Sequence, residues 1–486
     1  MKNFIIGIDE GTTSTRTGIY DIKSAKIIDC CSQPIKLNFP QSGWVEADAN
    51  KIWESVQQTI IEVIGKTKTK LNDVLCISIT NQRETVVAWD KKTGEAVYPS
   101  IIWQCRRTSS QINKLTVSQI KKIKSITGLI PDAYFSATKM NWLLKNNKQV
   151  AWLAKNNRLC LGTIDSFVAF KLTGNFATDT TNASRTMLMN LKTLKWDLRM
   201  LKQFSIQENY LPKIVNSNAK IGQYKINESL VDVVGIIGDQ QSALVGQCCF
   251  EKGMAKNTYG TGSFMLVNTG EKISRKKKLI STVAYTINDK TNYAIEGSVF
   301  NAGSIVEWLK ELEFISTASD CDKLSFSIKS TNGVKFYPAL TGLGAPFWMS
   351  NLRAAYTGLS RGTCKADFVR SSLESIAYCC EAIFKEAKLP LKELRCDGGV
   401  TNSQFLMQFQ ADVSGLKICI PTQIESTLLG AIYMGLIGTK TKTKEQIQKL
   451  WKLKNKFEPK ISKNKGNILY LDWKKGLTGF INSEKN

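Results

Sequence analysis

The chain has 486 residues, 66 Lys+Arg against 41 Asp+Glu, a formal net charge of +25 and no histidine; at ~100–200 residues per domain this length predicts two or three domains, hence two lobes and a cleft. The lack of histidine excludes Ser-His-Asp hydrolysis, histidine-ligated metals and histidine general bases, so acid–base chemistry falls to carboxylates, Lys, Tyr or Cys. The 13 cysteines show no C-x-x-C spacing and read as reduced thiols of a cytoplasmic protein, not as a disulfide framework or a zinc site.

In chain order, residues 4–8, 17–20 and 26–29 are β-rich runs separated by a Gly/Thr/Ser turn and a polar turn, predicting a hairpin-led antiparallel start. The first run meets Asp9 too early for a signal peptide or a membrane span, and no later apolar stretch is long enough to span, so a soluble protein without membrane insertion is expected. Asp48 is a candidate N-cap for a helix over 49–64, with Ile52, Trp53, Val56, Ile60 and Ile64 at helical spacing. Strands predicted at 74–79, 85–89 and near 97–102 complete an α/β lobe with a mixed sheet. A second round opens at 233–237, runs into Gly238-Asp239-Gln240-Gln241, and continues through the turn 258–262 to a strand at 264–268. Asp367 is read as the cap of a helix over 368–388, with Val369, Leu373, Ile376, Ala377, Ile383 and Phe384 facing inward. The Lys/Asn-rich tail after about 455 carries Tyr470, Leu471 and Trp473, which predicts that its end docks. The two rounds are alike in kind without an exact repeat, and the lobes are placed at 1–248 and 249–486. Basic runs at 275–278 and 440–465 lack the aromatic interleaving of a nucleic-acid module and read as a solvated lysine face.

Four segments share one design, a β-type run ending in a turn of small residues: 7–16, 238–242, 260–263 and 397–400. Glycines there let backbone amides approach a ligand, and Thr and Ser add donors, which suits phosphate oxygens. Asp9 and Asp239 end their strands, where a carboxylate can face Mg²⁺ or a substrate hydroxyl. Any one loop alone is more often a tight turn; four together favour phosphate. With no Walker motif and no Rossmann spacing, the nucleotide is expected between the lobes by another route.

Asp9 with Gly11-Thr12-Thr13-Ser14-Thr15-Arg16, Asn81-Gln82-Arg83-Glu84, Trp103-Gln104, Tyr134-Phe135-Ser136-Ala137-Thr138-Lys139, Asn182-Ala183-Ser184-Arg185-Thr186, Gly238-Asp239-Gln240-Gln241, Lys256-Asn257-Thr258-Tyr259-Gly260-Thr261-Gly262 and Asp397-Gly398-Gly399 together resemble the glycerol kinases of the FGGY family of sugar and polyol kinases, over roughly residues 3 to 475. The resemblance implies an α/β, two-lobe, actin-like and ribonuclease-H-like fold, with mixed β-sheets flanked by helices and an interlobe cleft. It implies ATP-dependent phosphorylation of glycerol to sn-glycerol 3-phosphate with ATP and Mg²⁺, by a homodimer or tetramer. Arg83, Glu84, Trp103, Tyr134, Asp239, Gln240 and Phe264 would then hold glycerol, and Asp239 would be the general base. Asp9 would hold Mg²⁺. Thr12, Thr13, Ser14, Arg16 and Thr261 would bind the phosphates, and Gly303, Glu307, Gly399 and Ser403 the nucleoside side. Four positions depart from the family pattern. Glu10 replaces a usual Gln and is expected to add a negative charge beside Asp9; Ser403 stands where an adenine-side Asn is usual; Met349 and Ala355 replace a common acidic residue and a Gly. The residues leave open a different acceptor, a longer polyol or ketopentose, and a catalytically weakened nucleotide-binding relative.

Overall fold

The computed structural model describes residues 2–349 and 351–484. Two mixed sheets dominate. The first runs in the order Lys220–Ile226, Ser229–Gly238, Val74–Asn81, Phe4–Glu10, Ser14–Asp21, Lys26–Pro34. Its three central strands are parallel, while the pairs at both edges are antiparallel. The second runs Ile280–Ile287, Lys290–Val299, Ser263–Gly270, Met254–Tyr259, Glu393–Asp397, Ile418–Pro421, Leu453–Phe457. There too an antiparallel meander feeds two parallel strands, since Met254–Tyr259 pairs parallel with Glu393–Asp397 and that strand with Ile418–Pro421. The same meander-then-crossover plan therefore occurs twice.

Alternation of side chains across the pleat explains how the first sheet joins the lobes. Ile6, Ile8, Ile77 and Ile79 face one core with the helix Ala49–Thr67, while Ile5, Cys76, Val234 and Ile237 face a second core built largely from the helices Asp239–Gly246 and Ser426–Gly438. Those two helices cross closely: a Cβ on Gly430 would stand 1.8 Å from the carbonyl oxygen of Ser242, and one on Gly246 1.9 Å from that of Ser426. Only glycine admits such an approach.

Asp48 caps the helix Ala49–Thr67, accepting from the Asn50 and Lys51 amides. Asp367 is not an N-cap. The helix is Lys365–Ala387, capped by Cys364, and Asp367 sits one turn in, accepting the Cys364 amide at 2.8 Å. The strand predicted near 97–102 is only Ser100–Ile101, and Ile64 and Phe384 are half-buried. The tail is the helix Lys463–Ser483, which docks through Tyr470, Trp473 and Leu477; Leu471 is on its outer face, 50% exposed. The cysteines are free thiols, most of them buried. Among the described residues no helix is long and apolar enough to cross a membrane.

Candidate active site

At the carboxyl ends of the first sheet's parallel strands, Glu10 lies opposite Asn81 and Asn81 opposite Gly238. Two strand spacings of ~4.8 Å put residues 10 and 238 roughly 10 Å apart. Asp9, Arg83, Glu84 and Asp239 thus converge where open α/β sheets bind ligands. The turn carrying Arg83 is locked to a second segment: the Asn81 and Asn182 side-chain amides exchange hydrogen bonds of 3.0 and 3.1 Å.

Asp239 opens the helix Asp239–Gly246, so the predicted small-residue turn is a helical start. Its Oδ1 accepts the Gln240 amide at 2.7 Å and lies 3.0 Å from Arg83 Nε, with 28% of the side chain exposed. Arg83 also donates to Gln241 Oε1 at 3.0 Å and to both oxygens of Glu296, at 2.7 and 3.2 Å. Glu84 is buried at φ +65°, a costly left-handed conformation for a non-glycine residue. Its carbonyl is held by Ser136 Oγ and the Lys139 ammonium, both at 3.2 Å. Its carboxylate accepts from Arg185 Nε at 2.5 Å. The Trp103 and Tyr134 rings meet edge-to-face at 5.4 Å and form a wall, and Trp103 Nε1 donates to Thr12 Oγ1 at 2.9 Å. Phe264 is half-buried beside Thr258 and Ser298 on the neighbouring strands. Gln240 accepts from the buried Lys256 ammonium, which burial pushes down to about 8 against the pull of Asp397 and Asp239.

Burial, and next the Asp239 charge, raise the Asp9 carboxyl to about 7, with Arg16 opposing. Glu10 lies inside the strand end rather than at the surface of the turn. It is fully buried, and burial pushes its carboxyl well above the usual range against the opposing Gln82 amide at 3.2 Å. Its Oε2 has no partner. The Asp239 charge beside the raised Asp9 carboxyl suits a cation between the strand ends. Among the described residues no three acidic or thiol side chains converge as a metal cage.

Thr12, Thr13 and Ser14 lie in an accessible turn closed by the Gly11 amide on the Ser14 carbonyl at 3.0 Å. Arg16 is ion-paired with Glu425, which precedes the helix Ser426–Gly438. Thr261, Gly303, Glu307, Gly399 and Ser403 all line one cavity of about 840 Å³, within the ordinary range for a small-molecule site. A Cβ on Gly303 would come within 2.6 Å of the Gly260 carbonyl oxygen. Glu307 pairs with Lys310 at 2.9 Å. Ser403 is spent differently from a base-reading amide: it caps the helix Gln404–Ser414 and donates to Asp322.

The sequence alone assigns no role to Glu296, and to Arg185 and Lys256 only a place within the family motifs. Glu296 and Lys256 each follow a short apolar stretch inside a β-run, Tyr293–Ile295 and Met254–Ala255, and a charge there was the available signal.

Twin mixed sheets of one plan, joined through a shared helical core with small-residue turns on both sides, place the molecule among two-lobe proteins of the actin-like, ribonuclease-H-like class. The family models for the FGGY family of carbohydrate kinases match in succession, the N-terminal domain over residues 4–246 and the C-terminal domain over 255–439. The chain belongs to that family. It is 42% identical to a glycerol kinase of Clostridium beijerinckii, covering 98% of each chain. It superposes with a TM-score of 0.92 on the crystal structure of Plasmodium falciparum glycerol kinase with ADP, at 34% identity and covering 99% of this chain and 98% of that one. A ligand-bound xylulose kinase from Lactobacillus acidophilus, at 23% identity, TM-score 0.87 and 98% coverage of both chains, shares the fold.

Proposed function

We propose that this protein transfers the γ-phosphoryl group of ATP to glycerol, forming sn-glycerol 3-phosphate, with residues 1–248 supplying the acceptor and phosphate side and 249–486 the nucleoside side. The observation that carries this reading is the buried Arg83–Glu84 pair beside the partly exposed Asp239, under the Trp103–Tyr134 wall. A small triol offers little area, so it is held by paired donors and acceptors rather than by burial. Arg83 donates to hydroxyl oxygens and Glu84 accepts from a hydroxyl, while Gln240 and Tyr134 complete the polar grip and Trp103 and Phe264 pack on the carbons.

Asp239 accepts the proton of the attacking primary hydroxyl. Arg83 Nε lies 3.0 Å from this carboxylate and fixes its place, and the loose transition state of phosphoryl transfer needs positioning more than a strong base. Thr12, Thr13, Ser14, Arg16 and Thr261 hold the phosphate chain, Arg16 exchanging Glu425 for phosphate oxygens. Gly303, Glu307, Gly399 and Ser403 line the nucleoside side. Asp9 would hold Mg²⁺ through water, and the ion supplies charge neutralisation at the phosphates. The free thiols fit a cytoplasmic enzyme, and the family resemblance implies a homo-oligomer of two or four chains.

ADP release measured across glycerol, erythritol and xylulose tests the reading. Glycerol is expected to give the highest kcat/KM, by about tenfold or more. Faster turnover of xylulose, or no ADP release with any of the three, would overturn it.

A further inference from the structure

Around Arg83 four charged side chains close a ring of alternating sign. Arg83 pairs with Glu296 at 2.7 Å, Glu296 with Arg185 at 3.1 Å, Arg185 with Glu84 at 2.5 Å, and Glu84 lies 4.0 Å from Arg83 Nε; none of the four side chains is more than 2% exposed. Glu296 alone comes from the second sheet, on the strand Lys290–Val299, while the other three belong to the first lobe. Burial would raise the Glu296 carboxyl, yet Arg185 and Arg83 hold it down to about 2, so it is a permanent anion.

The geometry decides what Arg83 has left to offer. A guanidinium carries five N–H groups in a fixed fork. Glu296 takes the terminal edge, one N–H from each of Nη1 and Nη2, and Gln241 takes the other Nη1–H. The remaining donors, Nε–H and the second Nη2–H, share the side edge of the fork. Nε lies near Asp239 but lacks an aligned hydrogen bond, an unpartnered donor in a fully buried side chain. Such a donor is costly unless something arrives to accept it.

We propose that Glu296 is a positioning residue for the acceptor site: from the opposite lobe it occupies the terminal edge of Arg83, so that only the side edge, two adjacent parallel donors, is presented to a pair of neighbouring hydroxyl oxygens. Arg185, pinned between Glu84 and Glu296, keeps the ring closed and stops Glu296 from swinging away. The arrangement also links acceptor recognition to the register between the lobes, because the residue that aims Arg83 rides on the second sheet. The inference rests on the glycerol kinase reading and assigns a role to a side chain that touches no reactant.

Removing either charge leaves a buried ion unpaired, so some loss of stability is expected for any mechanism. The discriminating readout is therefore selectivity, glycerol against 1,3-propanediol, which lacks the middle hydroxyl. Wild-type protein should favour glycerol strongly in kcat/KM. In Glu296→Gln that preference should shrink about tenfold or more while the KM for ATP stays near the wild-type value, and Glu296→Asp, which restores the charge, should recover part of it. If Glu296→Gln does not fold, Arg185→Lys, which keeps the charge but loses the fork, carries the same expectation. An unchanged glycerol preference in the folded variant overturns the inference and leaves the activity standing. A wild-type protein that does not phosphorylate glycerol overturns the activity itself, so the two failures are distinguishable.

Discussion

Asp9 is expensive in the ligand-free protein. Its carboxyl is raised from the ordinary value to about 7, so between pH 4 and 7 the folded chain holds a proton that the unfolded chain has released. Stability contributed by this site is therefore lost as pH rises through that window, and above pH 7 the full cost is present, about 2–4 kcal/mol. In the absence of divalent cations Asp9→Asn should raise Tm, and by more at pH 8 than at pH 5; an increment independent of pH, measured by thermal unfolding at both, would contradict this. Under the proposed function, a bound cation would offset this cost. At this scale the sequence was informative wherever chemistry sits in a compact turn, as at Asp9, Arg83–Glu84 and Asp239. It marks Glu296 only as a charge within a β-run and not by its partner, since Arg83 is 213 residues away; no local pattern names a contact made only by folding two lobes together. The chemical identity of Glu10 was plain but its charge was not, because burial decides its protonation and burial is a property of the fold.

The crossing of Asp239–Gly246 with Ser426–Gly438 sets the position of Asp239, since that residue begins the first helix. Gly430→Ala would force the helices apart and should cost about 1–3 kcal/mol of stability, with kcat reduced because the carboxylate moves. Unfolding and steady-state kinetics on this variant check both, and a wild-type Tm would show that the crossing is not tight. The helix Ala49–Thr67 was legible because a capping Asp and a one-sided apolar stripe coincide. Asp239–Gly246 carries no helical signal in the sequence: eight residues, buried almost all round, leave no stripe to detect. Asp367 misled for another reason, since the side chain does serve the helix start but reaches back to cap Cys364 from within the first turn.

Across the whole molecule, two sheets of one plan share no visible repeat in sequence because the constraint they have in common is strand order and direction, which many residue combinations satisfy. A second lobe could be inferred from the recurrence of β-runs ending in small-residue turns; the core that welds the lobes, made from Ile5, Val234, Leu244, Leu428 and Ile432, is assembled from segments too distant to be paired by inspection. Arg16 and Glu425 bridge the lobes, and under the proposed function closure upon the nucleotide is the step that completes the site. The most direct test of the central claim is product formation from glycerol and ATP by the wild-type protein beside Asp239→Asn, followed by phosphorus NMR. The account predicts sn-glycerol 3-phosphate from the wild type and a kcat lower by about 10²–10⁴ in the variant, with ATP binding retained. A variant that turns over glycerol as fast as the wild type would contradict it.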